Sequence, residues 1–360
     1  MKKLKIENLN IKRFALLILA LLLAIVAGLT VSSRKINEDA GKQTMSVNAS
    51  TKAILKTEDE SFEETLKENK TGYIKLGNDT YVVDYGSAGD VEKAIYETYK
   101  DNDSVMANED TIFTAMAGEN DEAESSDIAP VSDVLPDGMT WRKYADSVGK
   151  KLVAVIDTGV SSDYSSLQKN FTDETDEDEN GHGTAVAKTI LANANDKAIV
   201  LSLKAMGKDG TGYMSNVMAA VQYAREQHVD IINMSIAAPD SGSNSIFKQQ
   251  ITDTIAEGIQ IVAAAGNYNS SAMTYIPANI EGVISVGAMD GNNKKIESSN
   301  YAATYYEKAD STSQAAAVLT GKLAGSTDIS NETTDENVKY DKTDITPSLF
   351  SPCEKTIEEE

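Results

Sequence analysis

Between positions 150 and 290 the chain repeats one alternation, a short and wholly apolar run followed by a longer amphipathic stretch. The apolar runs are Leu152–Ile156, Ala198–Leu203, Ile231–Ile236, Ile259–Ala265 and Val283–Gly287. The stretches Gly183–Ala194, Met214–Gln227 and Ser245–Glu257 space their apolar residues as a helix does. A strand apolar on both faces must be covered on both faces. The pattern therefore predicts an α/β, doubly wound, mostly parallel sheet with helices on either side. Right-handed crossovers then bring the carboxyl ends of the strands to one edge, where the sites of such folds lie. Asp157, Ser235 and Asn267 fall at or just past those ends, and Ser313 opens a further Ala-rich helical stretch, Ala315–Ala324.

Ahead of this region the periodicity is different. Tyr73–Tyr85 alternates about Gly77-Asn78-Asp79, a hairpin signal, and Asp90 can cap a helix with the stripe Val91, Ala94, Ile95, Thr98 and Tyr99. Val105–Ala107 and Thr111–Ala115 read as extended. These elements predict a small α+β domain over 72–116, with a polar linker at 34–71 before it and an acidic connector at 117–137 after it. The main domain is expected over 138–325, with an acidic tail at 326–360. At the amino terminus, Lys2, Lys3, Lys5, Lys12 and Arg13 precede an uncharged run from Phe14 to Val31. Residues 1–33 are therefore read as an export signal or signal-anchor helix, with an uncleaved membrane anchor favoured over cleavage among Ala27, Gly28, Ser32 and Ser33.

Composition narrows the ligands. With 56 acidic against 33 basic residues the formal charge is −23. Such a surface repels nucleic acid and anionic lipid head groups, so neither is expected as a ligand. Cys353 is the single cysteine, which excludes an intramolecular disulfide in a chain read as exported.

Four points carry residue types that acyl transfer requires. A serine hydroxyl is a poor nucleophile until a base takes its proton, and His182, flanked by Gly181 and Gly183, can be that base. His228, the other histidine, ends a helix and is read as a helix-end residue. Asp157 can accept from His182 and fix its tautomer, or be a turn residue in Asp157-Thr158-Gly159. Asn267 can donate to an oxyanion, or occupy a left-handed turn after Gly266. Ser313 stands beside two other hydroxyls, Ser311 and Thr312, either of which could be nucleophile or helix cap.

Asp157-Thr158-Gly159, His182-Gly183-Thr184, Ala264-Ala265-Gly266-Asn267 and Ser311-Thr312-Ser313-Gln314-Ala315, in this order, resemble the motifs of subtilisin-family serine endopeptidases over about Trp141 to Ala324. The resemblance implies the subtilisin-type sheet and a triad of Asp157, His182 and Ser313. It also implies Asn267 and the Ser313 amide as the oxyanion hole, and selects Ser313 among the three hydroxyls. Gly210-Thr211-Gly212 and Ser235-Ile236-Ala237, with Ala265 and Gly266, resemble the segments that bind a peptide as an added strand. Asn102–Val105 with Asn108–Asp110 resembles the end of the family's inhibitory propeptide. The implied partners are a peptide or protein substrate and the chain's own propeptide, with no cofactor.

Departures from the family pattern are also legible. Ser311 stands where the family has Gly, which implies strain if that position needs a positive φ. Ala317-Val318 replaces Pro-His, and Ala237-Ala238 replaces a Gly-Gly beside the substrate strand, narrowing the cleft. The span from Asn267 to Ser313 is short by about a loop. Calcium sites are usual in the family, but Ser166 holds the place of an early Asp ligand, so no metal is expected there. The acidic run Asp173–Glu179 is either a solvated loop or a wall of upstream subsites that favours Lys or Arg. The function implied is an exported, membrane-tethered or secreted endopeptidase made as a zymogen. The alternative is a catalytically silent peptide-binding domain.

Overall fold

The computed structural model describes residues 51–59, 61–68, 70–77, 79–86, 91, 105–118, 129–130, 133–325 and 332–339. The apolar segment expected within 1–33 and most of the helix expected after Asp90 lie outside them. Among the described residues no helix is long and apolar enough to cross a membrane.

The amino-terminal described elements are β1 (Lys52–Thr57), α1 (Phe62–Glu68), β2 (Gly72–Leu76), β3 (Thr80–Asp84) and β4 (Val105–Glu109). They form an antiparallel sheet in the order β2-β3-β1-β4. β2 and β3 pair antiparallel as the alternation over Tyr73–Tyr85 predicts, with Leu76 opposite Thr80. The linker expected at 34–71 is corrected here, since residues 52–68 hold β1 and α1. β1 is an inner strand because Ala53, Ile54 and Leu55 are all buried, a run too short to stand out against its polar flanks.

β5 (Ile112–Ala115) leaves this unit and joins a second small sheet, described below. The main domain then begins with α2 (Trp141–Val148), capped by Thr140, whose hydroxyl accepts from the Lys143 amide, and closed by Gly149 at φ 66°. This helix was not foreseen, because only Trp141 and Ala145 of it are buried, with Tyr144 partly buried against the core. The large sheet has the order β16-β15-β14-β12-β10-β6-β8-β7. Its members are β6 (Lys151–Asp157), β7 (Leu167–Asn170), β8 (Ala198–Lys204), β10 (Ile231–Met234), β12 (Gln260–Ala264), β14 (Ile284–Met289), β15 (Tyr305–Lys308) and β16 (Thr333–Thr334). Every pairing in it is parallel except β15 with β16.

One face is covered by α2, α4 (Met214–Glu226) and α5 (Ser245–Ala256), through residues such as Trp141, Met218, Val221, Phe247 and Ile251. The other is covered by α3 (His182–Asn193) and α6 (Thr312–Gly325), through Val186, Ile190, Leu319 and Leu323. Two apolar layers on one sheet are why its inner strands β6, β10 and β12 carry no hydrophilic face.

Two differences from the sequence reading bear on the site. The run expected as one strand, Ile231–Ile236, breaks at Ser235: β10 ends at Met234, and β11 (Ile236–Pro239) turns out of the parallel sheet. The tail expected from 326 onward returns as β16, with Val338 buried and Lys322 bonded to Glu332.

Candidate active site

Asp157 is the last residue of β6, His182 the first of α3 and Ser313 the second of α6. Their side chains meet in a line. His182 Nδ1 lies 2.8 Å from Asp157 Oδ1, and His182 Nε2 lies 3.0 Å from Ser313 Oγ. All three are buried. The Thr158 amide also donates to Asp157 Oδ1, at 2.7 Å. A carboxylate on Nδ1 fixes the tautomer that leaves Nε2 free to accept the serine proton. Gly183 makes this approach possible, since a Cβ there would sit 2.0 Å from the Gly159 carbonyl oxygen.

A segment of the chain already occupies the cleft. β5 pairs antiparallel with β11 on one side, with Ile236 opposite Ala115 and Ala237 opposite Thr114. On its other side it pairs antiparallel with β9 (Thr211–Tyr213), with Thr211 opposite Thr114 and Gly212 opposite Phe113. The Ala115 amide donates to Gly210 O at 2.8 Å, and the Met116 amide to Ser235 O at 2.9 Å. Gly210, Thr211, Gly212, Ser235, Ile236 and Ala237 are thus brought together around one peptide strand. Ala265 and Gly266 lie behind Asn267: Ala265 O accepts from Asn300 Nδ2, and the Gly266 amide donates to Thr312 Oγ1.

The carbonyl of Met116 ends this strand at the triad. Asn267 Nδ2 donates to Met116 O at 2.7 Å, and the Ser313 hydroxyl reaches the same oxygen at 2.5 Å. Asn267 is aimed by its own oxygen, which accepts from the Thr312 amide (3.1 Å) and hydroxyl (2.9 Å). The Met116 side chain is buried in the same apolar cluster as Ala237, Ala264 and Val286. Three residues upstream, Phe113 is buried edge-on to Phe247, their ring centroids 5.4 Å apart.

Several supporting residues were not singled out in the sequence. Asp178, inside the acidic run, accepts from Thr158 Oγ1 and the Gly181 amide with one oxygen. Its other oxygen takes the Thr184 amide and hydroxyl. The buried Lys204 donates to Thr158 O and Glu177 O. Glu174 takes the Lys208 amide at 2.8 Å. Much of the run is thus engaged in holding its own loop and the end of β6. Its acidity hid this, because a charge run reads first as solvated surface.

Ser311 is not among the positive-φ residues, so the strain conditional on such a φ does not arise. Its hydroxyl instead accepts from the Gln314 amide, capping α6. The Ser166 hydroxyl accepts from the Asp133 amide. Among the described residues no group of three or more His, Cys, Asp or Glu is placed to hold a metal ion.

Comparison with known proteins finds relatives of this chain. The profile of the subtilase family matches residues 149–309. The chain is 33% identical over 168 residues to subtilisin DY of Bacillus licheniformis, covering 42% of this chain and 61% of that protein. It is 34% identical over 173 residues to an intracellular serine protease of Paenibacillus polymyxa, covering 41% of this chain and 52% of that one. With a cuticle-degrading serine protease of Arthrobotrys oligospora the identity is 31% over 234 residues, covering 60% and 56%. The chain therefore spans less than two thirds of each of these relatives. A crystal structure of a cold-adapted subtilisin-like serine proteinase superposes with a TM-score of 0.42 at 23% identity, covering 49% of this chain and 74% of that one.

Proposed function

We propose, from the match of residues 149–309 to the subtilase profile and the geometry of the site, that the chain is a serine endopeptidase made as a self-inhibited precursor. Ser313 is the nucleophile, His182 the general base and then acid, and Asp157 the group that orients and stabilises the imidazolium. As Ser313 Oγ bonds to the scissile carbonyl carbon, its proton passes to His182 Nε2. The oxygen of that carbonyl becomes an oxyanion beside Asn267 Nδ2 and the Ser313 amide. The carbon–nitrogen bond then breaks, His182 protonates the departing amine, and water releases the acyl group by the reverse sequence.

The observation that carries this reading is the position of the Met116 carbonyl, held by Asn267 and within reach of Ser313 while its strand lies between β9 and β11. That is where a substrate carbonyl would sit. The bond to be cut is Met116–Ala117, and the unit before it, from Lys52 to Met116, is the inhibitory propeptide. Main-chain pairing on both sides admits many sequences, while the two enclosed side chains favour a large apolar residue before the cut and an aromatic one three residues earlier. The basic residues ahead of the uncharged run at 14–31 support export, with the catalytic domain outside the cell and the run as tether or signal.

A fluorophosphonate probe should label the chain freed of its first 116 residues and spare Ser313→Ala. Mass spectrometry of the matured protein should find a new amino terminus at Ala117. Equal labelling of both proteins, or of neither, would select the silent peptide-binding domain instead.

A further inference from the structure

Behind the loop that carries Asn267 lies a lysine whose charge is turned inward. Lys295 is 9% exposed. Its ammonium donates to four oxygens: Asn269 Oδ1 at 3.0 Å, Ile296 O at 2.9 Å, Glu297 O at 3.3 Å and Ser299 O at 2.6 Å. An ammonium has three hydrogens, so four acceptors outnumber its donors and surround it as ligands surround an ion. None of the four ligating oxygens belongs to a carboxylate. Burial depresses the pKa of this lysine, opposed by the charge of Glu297.

The carbonyls of 296, 297 and 299 converge on this one cation; their dipoles, pointed at one another, would repel at short range without it. The segment they belong to runs directly into Asn300, which holds the oxyanion loop. Asn300 Oδ1 accepts from the Tyr268 and Ser270 amides, its Nδ2 donates to Ala265 O, and its own amide donates to Gly266 O. Asn269, at φ 47°, donates its amide to Ser298 O. Both neighbours of Asn267 are thus held by a segment folded around the Lys295 ammonium.

We propose that Lys295 is a built-in substitute for a bound monovalent cation, closing a four-oxygen cage that holds Asn267 in position, and that the cage accepts a free potassium ion when the side chain is shortened. The neutral ligands and the separations of 2.6–3.3 Å suit an ion of ammonium size. Calcium prefers carboxylates at about 2.3–2.6 Å, and magnesium shorter bonds still. Lys295 is on this view a positioning residue, and the part of the proposal that concerns catalysis rests on the protease reading; the cage does not.

The test separates the two. In the full chain carrying Ser313→Ala, Lys295→Ala should lower the Tm by roughly 5–10 °C in tetramethylammonium chloride. At least half of that loss should return in potassium chloride at the same ionic strength. Lys295→Met, which fills the space without charge, should lose as much and regain nothing from potassium. If Lys295→Ala does not fold in tetramethylammonium, its refolding yield in potassium gives the same readout. An unchanged Tm, equal behaviour in the two salts, or restoration by calcium alone would overturn the cage. In the chain with Ser313 intact, Lys295→Ala should lose roughly tenfold in kcat with KM within twofold, recovered by potassium. A cage that responds to potassium while kcat stays unchanged would overturn the positioning role. If the unaltered chain hydrolyses no peptide, the protease reading fails and the melting series alone decides the cage.

Discussion

At the scale of single residues, the proposed active site is framed by groups that touch none of Asp157 Oδ1, His182 Nε2 and Ser313 Oγ directly. Asp178 spends all four of its hydrogen bonds on Thr158, Gly181 and Thr184, the flanks of Asp157 and His182. It therefore holds Asp157 and His182 at their separation. A misplacement of about 1 Å can cost roughly 10²-fold in rate. Asp178→Ala should accordingly lower kcat by roughly 10- to 100-fold with KM within about twofold, and Asp178→Asn should lose less, as measured by steady-state hydrolysis of a peptide substrate. Gly266 is a second such point. Its φ of 104° and a Cβ that would meet Asn300 Nδ2 at 2.4 Å leave no room for a side chain. Gly266→Ala should reduce both Tm and fluorophosphonate labelling rate.

At the scale of elements, two contacts dock one unit on another. From the amino-terminal unit, Asp110 accepts from the Ser215 amide and hydroxyl at the start of α4, and Asn108 Oδ1 accepts from the Ile246 amide at the start of α5. Each satisfies a helix-terminal amide that has no partner within its own helix. Losing one such cap costs about 1–2 kcal/mol. In the uncleaved Ser313→Ala chain, Asp110→Ala should therefore speed proteolysis of residues 52–116, read by gel after a limiting dose of protease. At the far edge, Lys322 bonds Glu307 and Glu332, tying α6 and β15 to the returning tail. Burial, reinforced by the Glu332 carboxylate against the pull of Lys322, pushes Glu307 up to about 7. Between its ordinary value of 4.5 and about 7 the folded chain holds a proton that the unfolded chain has lost. Stability from this group therefore falls as pH rises through that window. Urea midpoints taken from pH 5 to 7.5 should show the decline, and Glu307→Gln should flatten it.

At the scale of the whole molecule, one segment of the chain lies paired beside the candidate site. β5 is antiparallel to both of its neighbours, and Met116 is enclosed in apolar surroundings. A carboxylate placed there would be buried with its charge uncompensated. Met116→Asp should slow release of a fragment beginning at Ala117 by roughly 100-fold or more, followed by mass spectrometry of the purified chain over time. Ser313→Ala should release none.

The sequence by itself determined the parallel sheet, since strands apolar on every side can be buried only between two helical layers. It also marked Asp157, His182, Asn267 and Ser313, because each stands in a short motif whose residue types have a chemical reason to be there. It was silent wherever the cause is a partner distant along the chain. β1 and β16 carry too few apolar residues to announce themselves, and the apolar run Ile231–Ile236 gave no sign that β10 stops at Met234 and β11 pairs with β5. Asp178 and Lys295 have most of their partners close along the chain, yet they look like surface charge because a charged residue in a polar run reads first as solvated. Hydrophobic periodicity is local and can be read along the chain, but a hydrogen bond to a residue a hundred positions away exists only once the backbone has brought the two together.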